Sequence, residues 1–236
     1  MLKTKANDNT NTAEEPKSLI EEAYRQIKNL IFQQKLIPGQ RLVYDDLGRM
    51  LKMSRTPIIN ALNRLEQQGL VVSESFRGFY VRPMDTQEAW DAFGLREALE
   101  TYAVKQAIDH AGLEDFAKLE EKLIAHESYT PPYYDRKKIL LDAQFHLQIA
   151  EMTGNQILRW HLKTNLEHVY LRANLEKYDV GRMAVSPKEH RRLLNRMRMK
   201  DTIESVEIIR LHVQKIRDLV LACLSDSELK DEEYLL

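Results

Sequence analysis

Apolar residues between positions 19 and 70 recur three and four apart, the spacing of helix faces. Over 19–34, Ala23, Ile27, Leu30 and Ile31 share one side, and Pro38-Gly39 punctuates the chain after them. A short helix is predicted over 44–51, and Lys52-Met53 makes a tight turn out of it. The stretch SRTPIINALNRLEQQGL at 54–70 predicts the next helix. Ser54 can cap it, Pro57 is tolerated in its first turn because the missing N–H has no intrahelical partner there, and Gly69 stops it. Ile58, Ala61, Leu62 and Leu65 form its apolar stripe. Arg55, Asn60, Asn63, Arg64 and Gln67 lie off that stripe.

Residues 70–73 and 79–82 then read as short strands around a Phe76-Arg77-Gly78 tip, where glycine permits a tight turn. Helix, turn, helix and hairpin in this order make a winged helix-turn-helix. In that arrangement the helix at 54–70 is the recognition helix. Its off-stripe side chains are of the kind that reach phosphates and base edges in a major groove. Arg77 sits where it can enter a groove. Taken alone, the same helix is equally an ordinary one with a solvated polar back.

From Thr86 onward strand signals almost vanish. Six helices are expected, at 86–110, 113–127, 135–152, 156–178, 187–199 and 201–225. The breaks are Gly112, Pro131-Pro132, Gly154-Asn155, Gly181 with Ser186-Pro187, and Asp201. The fold expected is therefore mainly α: an N-terminal winged helix-turn-helix at 16–83 and a C-terminal all-helical antiparallel bundle at 84–236. Residues 1–15, polar and nearly free of apolar side chains, are expected to be a disordered tail.

Composition narrows the class. With 43% hydrophobic and 30% charged residues the chain is of the globular type, and no apolar run approaches a membrane span. The N-terminus has no signal-peptide core. A single cysteine, Cys223, excludes an internal disulfide and fits a reducing cytoplasm. The net charge of −1 conceals an asymmetry: residues 1–83 carry 13 basic and 9 acidic side chains, the remainder 22 and 27. A mildly basic head on an acidic body fits a DNA-binding module joined to one that does not touch DNA.

The bundle carries a polar constellation. Asp142 and His146, four apart, share a helix face. His190 lies on a stripe with Leu193, Leu194 and Met197, and His212 on one with Ile208, Ile209, Ile216 and Leu219. Three histidines and a carboxylate on apolar faces suit a divalent metal such as Zn²⁺, if the helices converge. Satisfied core histidines are the other reading. Arg96 shares a side with Ala89, Phe93, Ala103 and Ala107. Its partner is either Glu100, one turn on, or the carboxylate of a ligand, which guanidinium pairs bidentately. His161, Asn165, His168 and Arg172 make a second polar stripe, either a solvated face or a cavity wall.

Several of these motifs point to one family. Pro38-Gly39-Gln40-Arg41-Leu42, Ser54-Arg55-Thr56-Pro57, Ala61-Leu62, Arg64-Leu65-Glu66, Gly69-Leu70 and Arg77-Gly78 make residues 19–83 resemble the GntR family of bacterial transcription regulators. The resemblance implies a double-stranded operator DNA partner, contacted by Arg41, Ser54, Arg55, Thr56, Asn60, Arg64, Arg77 and Gly78. One position departs. The family usually has a second arginine four residues after Arg55, commonly reading guanine, where this chain has Ile59. Its absence removes roughly 1–3 kcal/mol of discrimination at that base, so the family's usual operator is not expected.

The bundle adds a second resemblance. Asp142-Ala143-Gln144-Phe145-His146, Thr153-Gly154-Asn155, Glu189-His190-Arg191, His212 and Arg96-Glu97-Ala98-Leu99-Glu100 make 86–225 similar to the FCD ligand domain of the FadR subfamily. In its metal-containing members this Asp and three His hold a divalent ion at the floor of a cavity. The resemblance therefore implies one divalent ion per chain, Zn²⁺, Ni²⁺ or Mn²⁺, on Asp142, His146, His190 and His212. It implies a ligand-responsive regulator rather than an enzyme, acting as a cytoplasmic homodimer and most simply as a repressor. Its effector would be a small carboxylate held near Arg96, Asn165 and Arg172. Two alternatives stand: a purely structural metal, and an Asp/His₃ metalloenzyme, for which no separate general base is found.

Overall fold

The computed structural model describes residues 18–132, 135–173 and 180–233, with side chains except at 180–184 and 226–233. The expected tail at 1–15, and residues 174–178 of the expected fourth bundle helix, lie outside the described residues.

The head begins with α1 (Leu19–Phe32), capped by Ser18, whose hydroxyl accepts the Glu21 N–H. Ala23, Tyr24, Ile27 and Ile31 form its buried face. A two-residue strand, β1 (Arg41–Leu42), precedes α2 (Tyr44–Leu51) and α3 (Arg55–Gln67). The α2–α3 turn is tight for a steric reason. Lys52 takes a left-handed backbone, the Met53 N–H donates to the Gly48 carbonyl, and a Cβ on Gly48 would meet the Met53 oxygen at 3.0 Å. Ser54 sits at the N-cap of α3 as expected, but its side chain makes no capping hydrogen bond. Ile58, Ala61, Leu62 and Leu65 are fully buried, as their stripe predicts.

The wing is β2 (Val71–Glu74) and β3 (Gly78–Val81), each shifted one residue from its expected position. Pairing is antiparallel, with Glu74 opposite Gly78 and Val71 opposite Val81. The sheet order is β1-β3-β2, with Arg41 opposite Tyr80. β1 had no sequence signal. Two residues are too few to show alternation, and their pairing partner lies far along the chain.

The bundle comprises α4 (Thr86–His110), α5 (Leu113–Ser128), α6 (Arg136–Met152), α7 (Gln156–Arg172), α8 (Val180–Arg198) and α9 (Thr202–Glu233). α4 packs along α9, α6 and α7; α5 packs on α6 and α8; α8 packs on α9. The expected break at Gly181 and Ser186-Pro187 is not one: α8 runs through Pro187. Proline deletes one helical hydrogen bond, a local cost. Ser186 and Pro187 are buried, and the Ser186 hydroxyl donates to Asp142, so tertiary contacts hold the helix there. α9 likewise continues past residue 225. Among the described residues no helix is long and apolar enough to cross a membrane.

Two hydrophobic cores result, one in the head and one in the bundle. One residue crosses between them: Leu171 of α7 is buried in the head core. Beside it, Lys28 of α1 pairs with Glu167 of α7 at 2.8 Å. Arg172 donates to the Pro83 carbonyl at 2.7 Å and pairs with Glu88, clamping the connection between β3 and α4. Leu171→Ala should therefore leave a cavity in the head although the residue belongs to the bundle. The expected loss is about 2–5 kcal/mol in urea denaturation followed by circular dichroism. Wild-type stability in that variant would show that the head does not depend on α7.

Candidate functional site

α6 places Asp142 and His146 one turn apart, and α8 and α9 bring His190 and His212 to the same point. One ligand atom from each lies within 4.8 Å of all the others, and all four residues are buried. The helices do converge, as a shared site requires. His190 Nε2 is 3.4 Å from His212 Nε2 and 3.7 Å from Asp142 Oδ1. His146 Nε2 is 3.5 Å from Asp142 Oδ2, longer than an ordinary N–H···O bond, and is a buried nitrogen with no hydrogen-bond partner.

The outward side of two of the rings is held by a carboxylate. His146 Nδ1 meets Glu100 at 2.5 Å, and His212 Nδ1 meets Glu189 at 2.8 Å. Such contacts fix the tautomer that leaves Nε2 its lone pair. Asp142 accepts from Ser186 at 2.8 Å and from Tyr170 at 3.3 Å. Of these supporting residues the sequence flagged Glu100 and Glu189, but not as partners of the histidines. Tyr170, Ser186 and the buried His126 were missed, since nothing local separates them from core residues.

The electrostatics follow from burial and neighbours. Burial drives His190 well below the usual histidine value, and it lowers His212 against the pull of Glu189. Burial also opposes ionisation of Asp142, but His146 outweighs it and holds the carboxyl well below its ordinary value. For Glu100 burial is again overcome, here by His146 and Arg96, and its pKa falls to about 2. At His146 burial lowers and Glu100 raises, with a net rise. An anionic carboxylate with three imidazoles, one carrying an orphaned buried Nε2, fits a divalent cation as an N₃O donor set.

Arg96 adjoins this set. It is fully buried, and its Nε donates to Glu100 Oε1 at 2.5 Å, as the simpler sequence reading held. Its two terminal nitrogens, Nη1 and Nη2, are buried without partners. Asn165 donates to the Ala92 carbonyl at 2.9 Å, and its side-chain oxygen is buried and unpartnered. Asn165 and Arg172 line a cleft of about 380 Å³ with Trp160, His161 and His168, where α7 faces the start of α4. Arg172 is thus anchored at the domain junction rather than drawn into the Asp/His cluster.

In the head, Ser54, Arg55, Thr56 and Asn60 are exposed at the start of α3. The Arg55 guanidinium lies over the Tyr44 ring at 4.8 Å. Arg41 is brought to the wing tip: a Cβ on Gly78 would lie 4.0 Å from its Nε. Arg77 is exposed nearby, 3.5 Å from Glu74. Arg64 is turned away from this group. It pairs with Glu21 and covers the Tyr24 ring at 4.1 Å, which engages it with α1.

A basic winged head on a helical body with an enclosed Asp/His₃ cluster defines a two-domain DNA-binding regulator. Comparison with known proteins agrees. Residues 19–81 match the model of the gntR family of bacterial regulatory proteins, and 91–215 match that of the FCD domain. The HTH-type transcriptional regulator YdhC of Bacillus subtilis (strain 168) is 29% identical over 183 residues, covering 75% of this chain and 80% of its own. The Nta operon transcriptional regulator of Aminobacter aminovorans is 27% identical over 185 residues, covering 78% and 86%. The McbR/YncC structure from E. coli shares the fold, with a TM-score of 0.72 at 21% identity over 87% of this chain and 98% of that one. The chain belongs to the gntR family of transcription regulators and carries an FCD domain.

The Arg96–Glu100 pair gives a direct test of the site's energetics. Glu100→Ala leaves Arg96 buried and uncompensated, and strips His146 of its Nδ1 partner. Removing one member of a buried pair costs about 3–5 kcal/mol. Urea denaturation of the metal-free protein should show that loss; a change under 1 kcal/mol would mean that water reaches the site.

Proposed function

We propose that the protein is a homodimeric, cytoplasmic repressor whose operator binding is relieved by a small carboxylate sensed at a metal-containing site. The carrying observation is Arg96: a guanidinium with two buried, unpartnered nitrogens, joined through Glu100 to a metal-ligand histidine. A buried donor pair of this kind calls for an anion, and a carboxylate oxygen meets it with charge-assisted hydrogen bonds. One divalent ion per chain, Zn²⁺, Ni²⁺ or Mn²⁺, would be held by Asp142, His146, His190 and His212. It would supply a Lewis-acid anchor for one carboxylate oxygen, with Arg96 taking the other. Asn165 would contribute its unpartnered oxygen to the wall, and Arg172 would report to the linker.

Residues 16–83 serve as the DNA-binding unit and 84–236 as the sensing unit. Arg55, Thr56 and Asn60 at the start of α3 read the major groove, with Ser54 at the helix N-terminus where phosphate is favoured. Arg41, Arg77 and Gly78 form the wing contact, and Arg64 supports α3 from behind through α1. One recognition helix covers a half-site, and two-fold pairing supplies the second. With Ile59 in place of an arginine, the operator should differ from the family's usual one. A second reading, a purely structural ion, draws on the burial of all four ligands.

Calorimetry tests the sensing reading. Small organic acids are titrated into the metal-loaded protein, with and without operator DNA. A coupling of about 1–3 kcal/mol would change effector affinity about 5- to 150-fold between the two conditions, and linkage requires the same factor in DNA affinity. Arg96→Ala should lose most of the effector affinity while keeping the metal. Equal affinities with and without DNA would exclude sensing at this site. A structural ion would show itself by lost helicity on chelation and no acid bound. In the head, Arg55→Ala should abolish specific operator binding in gel shifts while leaving the circular dichroism unchanged; near-normal affinity would remove Arg55 from the reading set.

A further inference from the structure

A fourth histidine stands behind the Asp/His₃ cluster. His126, near the end of α5, is 1% exposed, and its Nδ1 lies 3.4 Å from Nδ1 of His190. The two rings are 5.3 Å apart and tilted by 46°. His126 is firmly placed. The buried Lys138 of α6 donates from Nζ to the His126 carbonyl at 2.5 Å and to the Tyr129 carbonyl at 2.9 Å, pinning the end of α5. His190 is fixed in its ring plane, since it stacks on Phe145 at 4.1 Å with 11° between planes.

An imidazole carries its single proton on one nitrogen or the other. Only the Nδ1–H tautomer leaves a lone pair on Nε2. At His146 and His212 that tautomer is selected by a carboxylate at Nδ1, from Glu100 and Glu189. Among the described residues His190 has no carboxylate in that place; it has His126. The contact is on the far side of the ring from the Nε2 that faces His212 and Asp142. His126 therefore backs a ligand and does not belong to the ligand set.

We infer that His126 is a positioning residue of the metal centre: its Nδ1 accepts the Nδ1–H of His190, so that His190 Nε2 is presented to the ion. This rests on the reading of the cluster as a metal site. It makes the third imidazole unlike the other two. A neutral nitrogen draws less on the Nδ1 proton than a carboxylate does, so His190 is the least electron-rich of the three ligands and the ring most easily displaced.

The test uses the full chain with Co²⁺ as the probe, titrated against a competing chelator. His126→Ala should weaken Co²⁺ binding about 10- to 100-fold, the usual effect of losing an outer partner, without changing the shape of the visible bands. His126→Gln keeps an acceptor oxygen and should recover most of the affinity. Melting of the metal-free variants reads any packing loss separately. Wild-type affinity in His126→Ala overturns the inference, as does a glutamine variant no better than the alanine one. A change in band shape showing a lost nitrogen would make His126 a ligand and overturn it too. Should the alanine variant not fold, nitrogen-correlated NMR of the Zn²⁺-loaded wild type decides. A proton on His190 Nδ1 is expected; one on Nε2 overturns. Wild-type protein that takes up no Co²⁺ defeats the metal reading itself, and is thereby told apart from failure of His126.

Discussion

A cluster of charge is enclosed at the centre of an apolar bundle, and the surrounding helices are arranged to satisfy it. A carboxylate or arginine taken out of water is tolerated only when paired and hydrogen-bonded. Here the pairing runs from Arg96 to Glu100 on α4, to His146 on α6, and past Asp142 to Ser186 on α8 and Tyr170 on α7. His212 brings in α9, with Glu189 of α8 behind it. His126 brings in α5. Every bundle helix thus donates at least one side chain to the cluster or its supports, so a change in one partner is felt by the whole bundle.

α7 connects that interior to the head by simple helical geometry. Consecutive residues on a helix point about 100° apart. Tyr170 turns to Asp142, Leu171 to the head core, and Arg172 to the carbonyl of Pro83 and to Glu88. One turn of one helix therefore touches Asp142 of the cluster, the hydrophobic core of the head and the linker. These three contacts join that interior to the head and to the linker.

Local rules account for much of what was read from the sequence. The apolar stripe of α3, the turn at Lys52-Met53 and the four-residue spacing of Asp142 and His146 follow from helical periodicity and turn chemistry. Arg96 with Glu100 is of the same kind. Where local rules failed, a distant contact had overridden them. Pro187 does not stop α8 because Ser186 and its neighbours are held by the core. β1 exists because β3 offers it hydrogen bonds. Arg64 lies off the apolar stripe of α3, and α1 supplies Glu21 and Tyr24 as its partners.

The sequence by itself determined most of the helices and the wing hairpin, which residue types are available for metal and DNA, and the family that combination marks. Only the tertiary structure decided that Asp142, His146, His190 and His212 meet, that Glu100 and Glu189 sit behind two of them and His126 behind the third, and that Arg96 keeps two donors unspent. The reason is the range of the forces involved. Helix periodicity and capping act over a few residues and leave a local trace in the chain. Convergence of side chains 70 residues apart is set by how whole helices pack, and no short stretch of sequence carries that information.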